Sequence, residues 1–341
     1  MATDAIDGSL LRWEAVARRH RWAALLLGNG LSVNVWPQFA YGSLFDHARQ
    51  DRLTRADHAL FDGTRNFERA LSDLMTAMRV NDALGIDVAP ILERYRSIQV
   101  ALGHAIQEVH LNRARIPDAT LEAIRDHLLG YEWIFTTSYD LVLYWAMKGP
   151  DGWAPFVDHF MHNGRCEFDP DQAKVYRGDV PVYFLHGALH LVVGSTGATW
   201  KLRRTGLQGL LDQFGRPIDG DPRARPLLVT EGSAKEKLRA IEGNAYLSHA
   251  LERLRALQLP TVVFGSNLSA QDAHLVQALN EHPDRPVAIS LLPGPKREVA
   301  ARKAELIGRL DAAEVLFFDA RSHPLGAVDL TAPQLAVRSP A

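Results

Sequence analysis

Short, nearly continuous apolar runs that stop at Gly, Ser, Thr or His recur along the chain: Trp22–Leu27, Trp133–Thr137, Val182–Leu185, Leu227–Thr230, Thr261–Phe264, Val287–Leu292 and Glu314–Phe318. They do not alternate between apolar and polar, so each reads as a strand buried on both faces of a parallel sheet. Helical spacing appears between them. Leu247, Ala250, Leu251 and Leu254, for example, share one face just before Thr261–Phe264. Strand alternating with helix predicts an α/β fold, a parallel sheet with helices on both faces.

Two stretches exceed a simple alternation. Residues 45–129 read as all-helical, with Leu71, Leu74, Met75 and Met78 on one face and Tyr95, Ile98, Leu102, Ile106 and Val109 on another. That is too much chain for one crossover, and it predicts a large helical insertion after the first strand. Residues 194–225 cluster Gly, Pro and Asp around Lys201, Arg203 and Arg204, and predict an irregular insertion with a small hairpin and a solvated basic face. Both insertions are expected within a single domain spanning 1–341.

Composition narrows the function classes. A net charge of −2 leaves no basic excess, so no nucleic-acid surface is expected. Cys166 is the single cysteine, which excludes a disulfide framework and a cysteine zinc ribbon and fits a reducing compartment. Met1–Gly8 carries two aspartates and no apolar run, unlike a signal peptide, and Trp22–Leu27 is too short to span a bilayer. A cytoplasmic protein with no membrane partner is expected.

The chemistry-bearing residues sit where the apolar runs end. Gly28-Asn29-Gly30-Leu31-Ser32 follows the first run; glycine there permits positive φ and close backbone approach to a pyrophosphate near a helix N-terminus, as in a Rossmann-like fold. Val33 replaces the third glycine of the dehydrogenase fingerprint, and no acidic strand end follows about twenty residues later. The same residues equally suit an ordinary tight strand-to-helix turn. Thr136-Thr137-Ser138-Tyr139-Asp140 ends the second run, where Asp140 either faces a ligand or caps the next helix. His186-Gly187 ends the third, and an imidazole there suits proton transfer near neutral pH or a simple strand-end hydrogen bond. His186 and His190 have a metal-like spacing, but the zinc-protease glutamate is missing and the strand context is wrong, so no metal is expected. Gly265-Ser266-Asn267-Leu268-Ser269, with Asp272 and His274 following, forms a second phosphate- or ribose-contacting turn. Asp319 ends the last run, placed either against an adenine ring or simply at the close of the sheet.

In this order the motifs resemble the sirtuin-like superfamily, and within it a bacterial branch lacking the zinc ribbon. That branch holds NAD hydrolases of antiphage defence and a related family of unknown function with a similar Gly-Asn-Gly-Leu-Ser opening. The resemblance runs from about Ala23 to Pro324, and the helical insertion has no motif to match. It implies that Gly28, Asn29, Gly30 and Ser32 form the pyrophosphate loop and that Thr137, Gly265, Ser266, Asn267 and Asp319 line the rest of the NAD site. It implies that His186 is the base on the nicotinamide ribose, with Asp140 two residues after the catalytic position. Ser138 stands where those hydrolases carry asparagine; a hydroxyl makes a shorter, one-ended contact than an amide. The implied activity is NAD⁺ glycohydrolysis, releasing nicotinamide and ADP-ribose. The alternatives are a non-catalytic NAD or ADP-ribose sensor and an ADP-ribosyl transferase. Because unrestrained NAD cleavage is toxic, control by homo-oligomerisation, by the helical insertion or by a regulatory protein partner is expected.

Overall fold

The computed structural model describes residues 6–40, 44–47, 53–61, 67–149, 152–153, 155–160, 166–172, 178–202, 218, 221, 223–229 and 233–333. The strands, in chain order, are β1 (Ala24–Leu27), β2 (Trp133–Thr136), β3 (Lys148–Gly149), β4 (Gly152–Trp153), β5 (Phe156–Val157), β6 (Val180–Phe184), β7 (Gly187–Val193), β8 (Thr199–Lys201), β9 (Arg225–Leu228), β10 (Thr261–Phe264), β11 (Val287–Leu291) and β12 (Val315–Asp319). Seven of them build one sheet in the order β12-β11-β10-β1-β2-β6-β5, and every pairing in it is parallel. β1 and β10 are buried along their whole length, as continuous apolar runs require when helices cover both faces. Helices flank this Rossmann-like sheet, Ala245–Arg255 packing on Ala273–Asn280 and Asp118–Leu128 on Val142–Met147.

Between β1 and β2 lies the helical insertion. Helices Phe67–Ala83 and Ala89–Val109 pack on each other through Leu71, Leu74 and Met78 against Tyr95, Ile98, Leu102 and Ile106. The next helix, Asp118–Leu128, behaves differently. Its Leu121, Ile124 and Leu128 enter the core of the main sheet, so it acts as the crossover that returns the chain to β2. Among the described residues no helix is long and apolar enough to cross a membrane.

Two expectations are corrected. Leu227–Thr230 does not join the parallel sheet: Arg225–Leu228 forms β9, antiparallel to β7, in a separate sheet ordered β8-β7-β9. The residues after His186 continue as a strand, because β7 starts at Gly187 itself. This second sheet is a layer between two apolar bodies. Ala188, Leu191 and Val193 face the core of the main sheet, while Leu189 and Val192 face the helical insertion. A strand covered on both faces reads the same in sequence whether its neighbours run parallel or antiparallel.

Lys201 also departs from what its neighbours in sequence predict. It is not on a solvated basic face: in β8 its ammonium donates to both carboxylate oxygens of Asp158, at 2.8 and 3.1 Å, and both residues are buried. Arg203 and Arg204 lie outside the described residues. The hairpin expected in 194–225 is the β7–β8 pair, turned through Gly194 and Gly197.

Helix Asp118–Leu128 also carries a histidine cluster. His127 and His323 meet edge to face at 4.7 Å beside Tyr131. Burial pushes His127 down to about 4 and His323 to about 2, the latter helped by His127. The unfolded chain, with histidines near ~6.5, takes up these protons first. Stability from the neutral rings is therefore complete above about pH 6.5 and is lost as pH falls toward 4. Calorimetry is expected to show Tm dropping between about pH 6.5 and pH 5, with a flatter slope in His127→Phe; an identical slope in that variant would remove His127 from the account.

Candidate functional site

The chain builds outward from β1 to β2 and β6 on one side, then from β10 to β11 and β12 on the other. The order therefore reverses between β1 and β10. Ligands of open parallel sheets bind outside the carboxyl ends of the strands at such a reversal. Two glycine turns meet there. Gly28 N–H donates to Phe264 O at 2.8 Å, and Gly30 N–H donates to Gly265 O at 2.9 Å. A side-chain carbon on Gly28 would lie 2.3 Å from Gly265 O, and one on Gly30 would lie 2.4 Å from Gly265 Cα. Of the three, Gly265 alone takes positive φ, at 67°. Gly28 and Gly30 are thus required by the contact of one turn with the other, and the conformational reason expected from sequence applies only to Gly265.

Beside these turns, Ser138 is the hub of a polar cluster. Its Oγ donates to Asp140 Oδ2 and lies 3.2 Å from Ser32 Oγ and 3.3 Å from Asn29 Oδ1. Ser32, Ser138 and Asp140 are buried. The other oxygen of Asp140 accepts from Val142 N–H at 2.8 Å, but the N-cap position of that helix belongs to Leu141, so Asp140 is not the cap expected from sequence. Thr137 N–H donates to Leu27 O at 2.9 Å and ties the β2 turn to the end of β1. His110, from the end of the helical insertion, accepts the Leu141 amide through Nε2 at 3.0 Å. Burial lowers the affinity of His110 for a proton, opposed by the neighbouring Asp140. Nothing in the sequence pointed to His110, because its partner is a backbone amide far along the chain.

His186 follows β6 in the turn next to that of Ser138, since Leu185 N–H donates to Thr136 O at 2.8 Å. Its side chain meets a second histidine: His186 Nε2 and His274 Nε2 are 2.8 Å apart. Asp272 lies beside them and accepts from Lys237 Nζ at 2.9 Å and from Ser269 Oγ at 3.0 Å. Burial is the main force holding both imidazoles in the neutral form, His274 at about 4. Burial also works against the Asp272 carboxylate, but Lys237, His186 and Ser269 together outweigh it and keep the group below the usual range. His274 and Asp272 follow the Gly265 turn directly in sequence, whereas Lys237 comes from helix Ala234–Glu242 and had no local signal. His190, two residues beyond Ala188, joins neither group: its ring lies tilted at 4.4 Å from Tyr144 and edge to face at 4.7 Å from Phe184.

The remaining expected residues are more dispersed. Ser266 Oγ accepts from Leu268 N–H at 3.2 Å, and Asn267 is exposed. Asp319 stands three strands from β1, at the sheet edge, and its carboxylate accepts from Arg321 N–H at 2.9 Å. A cleft of about 580 Å³ opens between the helical insertion, β9 and helix Ala234–Glu242. Its walls carry Arg69, Arg223, Arg225, Lys237 and Arg239, and it does not include the Gly28–Ser32 turn. Lys237 links the cleft to the histidine pair.

Fold and site together define a Rossmann-like α/β protein with paired glycine turns at the sheet's switch point. The chain belongs to the family described as a domain of unknown function, DUF4917, whose profile matches residues 25–325. No curated protein matches it at a significant level. Among solved structures, it is similar to a Sir2 bound to an acetylated peptide, with 13% identity, 90% of this chain and 92% of that one covered, and a TM-score of 0.36. A structure described under the mechanism and regulation of Sir2 enzymes aligns at 12% identity over 92% of each chain, TM-score 0.35. Sir2Tm bound to a propionylated peptide aligns at 14% identity over 87% of this chain and 98% of that one, TM-score 0.34. Superpositions this loose establish no function.

Proposed function

We propose that the protein binds NAD⁺ at the β1/β10 switch point and hydrolyses its nicotinamide–ribose bond. The observation that carries this reading is the meeting of the Gly28–Ser32 and Gly265–Asn267 turns beside the buried Ser32–Ser138–Asp140 cluster. The pyrophosphate lies along the two glycine turns, which pack backbone against backbone outside the carboxyl ends of β1 and β10. Ser138, held by Ser32, Asn29 and Asp140, positions the attacking water or a ribose hydroxyl. Thr137, Ser266, Asn267 and Asp319 contribute to the rest of the dinucleotide surface.

Bond cleavage builds positive charge on the ribose carbon as the C1′–N bond breaks. Nicotinamide leaves with that bonding pair and is neutral, because the ring nitrogen was cationic. Water forms the new C1′–O bond and surrenders a proton to His186, which is neutral through burial. The products are nicotinamide, ADP-ribose and a proton.

Incubation of the purified protein with NAD⁺, with nicotinamide release followed by chromatography, tests the reading. His186→Ala is expected to slow release by about 10²–10³-fold, the scale seen when one positioned polar group is removed. Equal rates in parent and variant would falsify the assignment of the base. Tight NAD⁺ binding with no nicotinamide released by the parent overturns hydrolysis in favour of a sensor, and ADP-ribose transferred to a macromolecule overturns it in favour of a transferase.

A further inference from the structure

We infer that His186, His274 and Asp272 form a binding site for one divalent transition-metal ion of the zinc class, above the carboxyl ends of β6 and β10. One ligand atom from each residue lies within 4.8 Å of the other two. Imidazole nitrogen and carboxylate oxygen are the donors that zinc and cobalt accept, and three protein ligands leave a fourth position open. The two imidazoles present their Nε2 atoms to each other at 2.8 Å, both buried. As a bare pair, such a contact uses one N–H and one lone pair. A metal held by both rings would use a lone pair from each, and tetrahedral zinc–nitrogen geometry would part the two Nε2 atoms to about 3.3 Å.

The supporting shell is in place around the carboxylate. Ser269 Oγ donates to one oxygen of Asp272, fixing its direction as outer partners fix metal ligands, while Lys237 holds the other oxygen, the one the ion would take. The helix that starts at Ala273 is secured at its far end, where the buried Arg285 guanidinium donates to Ala278 O at 2.9 Å and Leu279 O at 2.6 Å. His274 is therefore carried on an anchored element. Lys237 supplies positive charge beside Asp272, and it also lines the cleft described above. Swinging its flexible side chain into that cleft exchanges one cation for another at the carboxylate and opens a path for the ion. Sequence spacing suggested only His186 with His190, a pair set aside for its strand context; the fold turns His190 into an aromatic pocket and brings His274 to His186 instead.

The site shares His186 with the proposed hydrolysis without resting on it, and its test uses no NAD⁺. Full-length protein stripped with chelator is titrated with Co²⁺ and, separately, with Zn²⁺ by calorimetry. One equivalent per chain is expected, with visible cobalt bands of a low-coordinate nitrogen–oxygen site that one equivalent of Zn²⁺ abolishes. His274→Ala and Asp272→Asn are each expected to weaken Zn²⁺ binding by at least tenfold, and His282→Ala to leave it unchanged. Absence of stoichiometric binding by the parent overturns the proposal, as does parental affinity in both ligand variants. X-ray absorption of the parent's zinc complex decides the matter even if a variant fails to fold: two imidazoles in the shell support the site, and fewer than two overturn it.

Discussion

Lys201→Met is expected to lower the unfolding free energy by about 3–5 kcal/mol, the cost of leaving a buried charge without its partner. The Lys201 and Asp158 side chains are 8% and 0% exposed, so water cannot take over the missing ammonium's role. Asp158 keeps one further contact, accepting Phe160 N–H at 3.2 Å, which does not neutralise it. The pair joins the end of β5 to β8, tying an edge of the main sheet to the second sheet. The double variant Asp158→Asn/Lys201→Met removes both charges while retaining an acceptor for that amide. It is expected to recover more than half of the single-variant loss, because buried ion pairs are costly mainly when halved. Urea unfolding of the four proteins gives the cycle directly. A single-variant loss below about 1 kcal/mol is the behaviour of an exposed pair and would show that this one is solvated.

Gly187→Ala is expected to be as damaging, at more than about 3 kcal/mol, through backbone strain and overlap together. Gly187 has φ of 74°, in the left-handed region, and a methyl there would lie 1.9 Å from the carbonyl oxygen of Leu227. The obstacle is backbone in β9, which cannot rotate aside as a side chain can. Relief requires β7 and β9 to part where Gly187 pairs with Leu228, and that joint also holds the turn carrying His186. Loss of thermal stability measured by circular dichroism checks this. A variant melting within a degree or two of the parent would mean that the strands separate freely there.

These two positions show what sequence reading misses. Gly187 resembled half of a His-Gly catalytic motif, yet its structural necessity comes from a strand about forty residues later. Lys201 looked like part of a solvated basic cluster because its neighbours in sequence are Arg203 and Arg204. Its actual partner, Asp158, is brought to it by tertiary contacts, β8 pairing with β7 and bridging to Glu167. Charge runs carry no information about the burial of any one member.

By itself the sequence determined the seven apolar runs, six of which became strands of the main sheet, and the helical insertion after the first of them. Continuous hydrophobicity and helical periodicity are local properties, and the backbone must satisfy them wherever the chain goes. It also placed small and polar residues at the strand ends, where Gly28, Gly30, Ser32, Ser138, Asp140 and His186 now stand. Tertiary structure decided the partners. It set Gly28 and Gly30 against Gly265, gathered Ser32, Asn29 and Asp140 around Ser138, and turned His186 toward His274 and Asp272. It also made β7 and β9 antiparallel, which hydrophobicity alone cannot encode. Strand order and direction arise from contacts between residues far apart in the chain, so no window of sequence contains them.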